Sequence, residues 1–203
     1  MTNSSGVSRP YESAFATRDA LFGMGSGSFD IAFYIANRPP MEPYCSLQTL
    51  QPVQVHELAS IAKNSSNHWR KAFNVLAKCL FELRSSGHAA MSGSSLIRPV
   101  DTWQQYREAV LLQAHSCEAL IFSRPALSII EKGKAGPVHI IAGKTYAENL
   151  ALDIPFHWLD RYFAINRHYR LVVSPYLDYR QLSNERISRL IYLIRALATN
   201  SPL

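Results

Sequence analysis

The chain has no apolar run approaching the ~20 residues that a membrane-spanning helix needs, so no membrane partner is expected. Its first residues, Met-Thr-Asn-Ser-Ser-Gly, lack the basic-then-apolar order of a secretory signal. Cysteine is scarce. Cys45, Cys79 and Cys117 are widely separated and odd in number, which matches neither a disulfide framework nor a zinc motif. Free thiols in a reducing cytoplasm are the expectation. The histidines show no ligand spacing, so neither a metal nor another cofactor is expected. There is no Gly-x-Ser-x-Gly elbow, and no cysteine stands beside a histidine as an obvious nucleophile.

What is present is ordinary in amount and uneven in placement. A chain of 203 residues can bury a sizeable core. Lysine and arginine number 21 against 15 acidic residues, and most of the excess lies late. Between positions 161 and 195 seven arginines (161, 167, 170, 180, 186, 189 and 195) stand against Asp178 and Glu185, a balance of +5. No lysine follows Lys144. Arginine suits planar, bidentate contact with phosphate or carboxylate. The stretch therefore points to DNA, a nucleotide or another anionic small molecule as partner, or to a solvated basic helix face.

Residues 1–27 are rich in Ser, Gly and Thr and read as a flexible arm, with a short helix near residues 11–21 and a hinge at residues 23–28. Residues 28–203 read as a single α/β domain. Apolar runs at residues 29–36, 119–122, 138–142 and 169–173 read as strands. Helices are expected at residues 53–62, 68–83, 101–115 (capped by Asp101), 145–152, 155–166 and 183–196, with a polar surface loop at residues 85–98. In the second of these helices Trp69, Phe73, Leu76 and Leu80 fall on one apolar stripe, while Arg70, Lys71, Asn74 and Lys78 fall outside it. Strands alternating with helices imply a three-layer α/β/α sandwich around a central four-stranded parallel sheet.

In such sheets ligands bind beyond the carboxyl ends of the strands. Three segments take those positions. The first is Asn37-Arg38-Pro39-Pro40, an amide held by prolines just past a buried strand. It is either a strand-end cap or a group that orients water or a ligand edge. The second is Gly143-Lys144-Thr145. A phosphate loop needs a glycine where Val138 stands, so triphosphate hydrolysis is not expected. A strand-glycine-helix turn remains, suited to an anion or serving as a plain tight turn. The third is Ser174-Pro-Tyr-Leu-Asp-Tyr-Arg-Gln-Leu-Ser-Asn184, which gathers two tyrosines, a carboxylate, a guanidinium and two amides in one connection. Asn67-His-Trp-Arg-Lys71 adds a large aromatic among basic groups. It is either a surface for stacking bases or, since Trp69 lies on the apolar stripe, part of the core.

The stretches Asn67-His-Trp-Arg-Lys-Ala-Phe-Asn-Val-Leu-Ala-Lys78, His139-Ile-Ile-Ala-Gly-Lys-Thr-Tyr-Ala147 and residues 174–184 resemble an uncharacterised bacterial family known only as a domain of unknown function. That resemblance implies no activity. The layout is also similar to the uracil-DNA glycosylase superfamily, a four-stranded parallel sheet between helices. There Asn37-Arg-Pro39 is the nearest match to the first motif, Gly143-Lys-Thr-Tyr-Ala147 to a Gly-Lys-x-x-Ala element, and residues 175–183 hold the place of the second motif. The superfamily's second-motif histidine is not matched; the chain has Tyr176, Asp178 and Arg180 there.

The resemblance implies a glycosylase-like protein that binds nucleic acid or a nucleoside-type ligand and hydrolyses an N-glycosidic bond. Asn37 would position a water, and Asp178 would orient it or take its proton. Tyr176 or Tyr179 would stack on a base and Arg180 would meet phosphate. Gly143, Lys144, Thr145 and Asn184 complete the binding set, and the arginine-rich final third would hold the backbone. A non-catalytic domain on the same fold, recognising a small anion or a protein partner, is the alternative. An enzyme acting on a small phosphorylated metabolite is a third reading. A shared site requires Asn37, Gly143 and residues 176–180 to face one crevice.

Overall fold

The computed structural model describes residues 20–85, 100–128, 130 and 136–201. Residues 1–19 of the expected arm, with most of its short helix, lie outside the described residues, as do residues 86–98 of the expected surface loop. No helix among the described residues is long and apolar enough to cross a membrane.

The four apolar runs form β2 (Ile31–Tyr34), β4 (Glu118–Ile121), β5 (Val138–Ala142) and β8 (Leu171–Ser174), each buried along its length. They are parallel, with β2 between β4 and β5 and β8 beyond β5. Burial on both faces explains their unbroken apolar sequence. The sheet does not stop there. Its order is β3-β1-β4-β2-β5-β8-β7-β6, eight strands in all, with β1 (Gly23–Gly25), β3 (Leu50–Gln51), β6 (His157–Trp158) and β7 (Ala164–Asn166) added at the edges. β1 runs antiparallel to β4, and β7 antiparallel to β8. The sheet is thus larger than the expected four strands and mixed in direction.

Two local causes account for the added strands. The glycines that read as a hinge permit close pairing. A Cβ on Gly23 would lie 2.2 Å from the Leu120 carbonyl oxygen, and one on Gly25 would lie 2.4 Å from that of Glu118. Only glycine lets the two backbones approach this closely. The expected helix at residues 155–166 is instead the hairpin of β6 and β7. Asp160 reverses the chain, its Oδ1 accepting from the backbone N–H of Tyr162 at 2.6 Å and Phe163 at 2.8 Å. An aspartate that bonds its own following backbone favours a turn over a helix.

The helices are α1 (Glu57–Asn64), α2 (Asn67–Ser85), α3 (Trp103–Ala109), α4 (Lys144–Asn149) and α5 (Asn184–Ala198). Thr102 caps α3, accepting from the Gln105 N–H at 3.2 Å, where Asp101 was expected to do so. Ile31, Phe33, Leu120 and Ile140 form one large core with side chains of α1, α2, α3 and α5, such as Trp69, Phe73 and Leu190. The alternate residues Ala32, Tyr34, Ile121 and Ile141 form smaller clusters on the other face, where α4 contributes Ala147 and Tyr146.

In chain order the parallel strands are β2, β4, β5 and β8, yet β2 sits between β4 and β5. The chain therefore leaves β2 to one side and later returns to its other side. Such a reversal opens a crevice beyond the carboxyl ends of the two strands concerned, here β2 and β5.

At the opposite end of the sheet a buried ionic network joins four elements. Arg84 on α2 donates to Glu118 at 2.8 Å and to Asp30, just before β2, at 3.3 Å. Its Nε donates to the Tyr106 hydroxyl of α3 at 3.0 Å, and that hydroxyl donates to Glu118 at 2.7 Å. Glu118 has no exposed surface. Arg84→Met should cost about 3–5 kcal/mol in urea denaturation, because it strands a buried carboxylate. Replacing both partners, as in Arg84→Met with Glu118→Leu, should recover part of that loss; a double variant weaker than the single one would contradict the network.

On the second face Tyr34 Oη lies 2.9 Å from His139 Nδ1. Burial, and then the charge of Arg170, hold the His139 pKa down to about 4. Unfolded histidine takes its proton near pH 6.5, so between about pH 6.5 and 4 the unfolded chain binds more protons. Stability should therefore fall as pH is lowered through that window. Between pH 7 and 4.5 the His139→Gln variant should lose about 2 kcal/mol less than the parent, measured by denaturant titration at each pH.

Candidate functional site

Three strand ends meet at the crevice. Asn37 stands exposed on the loop after β2. Arg38 ties that loop down: its Nη1 donates to the carbonyls of Cys45 at 3.1 Å and Leu47 at 3.3 Å, and its guanidinium lies 4.1 Å over the Phe22 ring. The arginine between Asn37 and Pro39 is therefore a brace. Gly143 follows β5, donating its N–H to the Ser174 carbonyl at 2.8 Å. Its φ of +113° favours glycine, and a notional Cβ there would meet the Tyr176 ring in ordinary contact at 3.4 Å.

Tyr176 follows β8 and is the hub. The Asn37 side chain lies close enough to its hydroxyl to pull the pKa down. The same hydroxyl lies 2.8 Å from His68 Nε2, and the two rings stack with centroids 5.3 Å apart and planes at 27°. Asn37 and Gly143 thus both lie beside Tyr176. His68 joins them from the first turn of α2, although in the sequence it reads as an isolated histidine. The signal was the helix register. Trp69 turns into the core, with 1% of its surface exposed, in contact with Phe73 and Phe122. His68 and Lys71, three residues apart, then share a side of the helix turned toward the β8 loop.

The electrostatics divide the site in two. Burial raises the Tyr176 pKa, the neighbouring Asn37 side chain opposes that, and the Asp178 charge adds to it. Burial lowers the His68 pKa, with Asp178 opposing and Lys71 assisting. Both rings are therefore neutral at pH 7, and a single proton joins the Tyr176 oxygen to His68 Nε2, carried by whichever partner the histidine tautomer selects. Asp178 behaves oppositely. The Arg180 N–H, 2.9 Å away, holds its pKa below the usual carboxylate range, helped by Lys71 at 3.4 Å. Asp178 is an ionised, weakly basic carboxylate, fitted to orient a donor or face positive charge. Tyr179 projects beside it with 54% of its surface exposed, Lys71 lying 5.4 Å and Arg180 5.7 Å from its ring centre.

The remaining expected residues are placed less centrally. Lys144 and Thr145 are exposed in the first turn of α4, and the Lys144 ammonium lies 4.6 Å over the Trp158 ring. Asn184 opens α5 and accepts from Lys78 at 2.7 Å. The late arginines do not act as one surface. Arg170 is buried and donates to the Pro137 carbonyl, Arg167 donates to the Ser201 carbonyl, and Arg186 lies 3.8 Å over the Tyr162 ring. Among the described residues no cluster of three His, Cys, Asp or Glu side chains is arranged to hold a metal.

These electrostatics make an expectation for NMR titration. His68 should titrate below the ordinary histidine range. Tyr176→Phe, which removes the hydrogen-bond partner of Nε2, should shift its pKa, and Asp178→Asn, which removes the opposing charge, should lower it further. A His68 resonance indifferent to both changes would contradict the arrangement.

Compared with known protein families, residues 22–195 match one described as a family of unknown function. No curated protein and no solved structure matches the chain. The matched segment reaches from just before β1 well into α5, and so takes in every strand and every group of the crevice. The chain belongs to the family of unknown function DUF6942.

Proposed function

We propose that the crevice binds a nucleic-acid strand or nucleoside-type ligand and serves hydrolysis of an N-glycosidic bond. The observation that carries this reading is the convergence of Asn37, Tyr176 and Gly143 at the point where the strand order reverses. The finer fold reading belongs with it. Four parallel strands, with α4 on one face and the other helices opposite, support a uracil-DNA glycosylase-like α/β/α sandwich.

Breaking an N-glycosidic bond builds positive charge on the sugar and negative charge on the departing base. Fixed groups aimed at those charges lower the barrier. Asp178, ionised and anchored, would face the sugar and orient a water rather than take its proton. The Asn37 amide would hold the water or the base edge. Tyr179, exposed between two cations, would stack on the base, whereas Tyr176 already stacks on His68. Extruding a base from a duplex costs a few kcal/mol, which contact between Arg180 and phosphate would help offset.

A second reading, a non-catalytic binding or regulatory domain, draws on a different observation. Tyr176 and His68 satisfy one another, as do Asp178, Lys71 and the Arg180 N–H. A closed set of this kind also suits a rigid recognition surface for an anion or a protein partner.

Assays on uracil-, hypoxanthine- and mismatch-containing DNA separate the two. Base release by the parent protein, falling about 100-fold in Asn37→Ala, supports hydrolysis; no release from any substrate leaves the binding reading alone. In anisotropy titrations the affinity for DNA should fall with salt, with a log–log slope of about −2 to −4. A flat slope would sink phosphate-led binding.

A further inference from the structure

Beside the crevice, α2 and α5 border a groove of about 370 Å³. We propose that this groove is a binding site for a mononucleotide that adjoins the crevice and shares Tyr179 with it, its phosphate held by α2 and its ring seated against Tyr179. The inference rests on the groove alone and does not require any chemistry at Asn37.

The phosphate end follows from the α2 register. Asn67, Arg70, Lys71, Asn74 and Lys78 recur at three- and four-residue spacing, so they form one stripe opposite the buried face. All five line the groove, and among the described residues none that lines it is a carboxylate. Like charges along a helix are mildly destabilising, so a stripe of this kind calls for a counter-charge. Lys71 has one in Asp178. For the others the neighbours are amides, each turned with its oxygen toward a cation. Asn67 accepts from Arg70 Nε at 2.9 Å, Asn184 from Lys78 at 2.7 Å, and Asn74 from Arg107. The carbonyl half of each amide is thereby occupied, and the NH₂ half is left to donate. The polar wall consists of cations and donors, which is the complement of a phosphate.

The other wall has a different chemistry. Tyr179 is more than half exposed and Trp103 partly so, with the buried side chains of Val75, Leu182 and Ile187 behind them. A phosphate alone leaves that wall unused. A planar, phosphorylated ligand covers both walls, and the volume falls in the ~300–1,000 Å³ range of small-molecule sites. A second cavity of about 340 Å³ shares Arg70 and Asn74 and adds Lys63 of α1 and Arg107 of α3, the latter already paired with Glu108.

Calorimetry and thermal shift on the full chain test this with AMP, UMP, adenosine and inorganic phosphate. Both mononucleotides should bind and raise the melting temperature, more strongly than inorganic phosphate, while adenosine should not. The double variant Arg70→Ala with Lys78→Ala should weaken AMP by about tenfold or more. Asn184→Asp, which adds a carboxylate at constant size, should weaken it in the same direction. Circular dichroism verifies that these surface variants are folded. Asn37→Ala should keep the parent affinity for AMP, so failure of the groove and failure of the crevice are read separately. The proposal is overturned if AMP does not bind, if adenosine or inorganic phosphate binds as tightly as AMP, or if the groove variants leave the affinity unchanged.

Discussion

Glu118 is a carboxylate without solvent, and Arg84 is the group that makes its burial tolerable. Taking such a pair out of water is costly, and only good geometry and further hydrogen bonds repay it. Tyr106 and Asp30 supply those bonds. The consequence is positional more than energetic. The network sits where β2 and β4 begin and where α2 ends. A helix of 19 residues is about 28 Å long, so anchoring its last turn at one end of the sheet sends its first turn to the other. His68 and Lys71 reach the crevice because Arg84 is fixed at the far end.

The same helix has three functions on three sides. Its apolar stripe, with Trp69 and Phe73, seals one face of the sheet. Its first turn delivers His68 to Tyr176. Its outward stripe lines the groove with Arg70, Lys71 and Lys78. Lys71 links the last two, since it holds Asp178 at the crevice while facing the groove. A change in the roll of α2 would therefore be felt at both sites. Gly143 works in the same sense from the sheet, because its φ of +113° is a conformation that a larger residue would strain, and it packs beside the Tyr176 ring.

Much of the scaffold is legible in local pattern. The stripe of Trp69, Phe73, Leu76 and Leu80 marks α2, and the unbroken run at Val138–Ala142 marks a strand covered on both faces. The segment at residues 174–184 stands out by its density of polar and aromatic groups. Gly23 and Gly25 mislead for a physical reason. A glycine that allows a hinge and one that allows two backbones to touch look alike until the partner strand is known. The hairpin of β6 and β7 misleads because its strands are only two and three residues long, while Asp160 acts through turn geometry that apolar spacing does not record.

Periodicity, strand-end position and charge thus determine by themselves the parallel centre of the sheet, the long buried helix and the three loops that carry the polar groups. These are properties of neighbours in the chain. The union of Asn37, Tyr176 and His68 is not, because those residues come from three segments and meet only when the strand order reverses. Nor is the protonation of the site, since burial and Lys71 set the state of His68, and backbone and side-chain donors that of Asp178. Which cations share a surface was likewise a tertiary decision. Folding draws the late arginines into separate contacts and leaves the stripe of α2 as the basic wall.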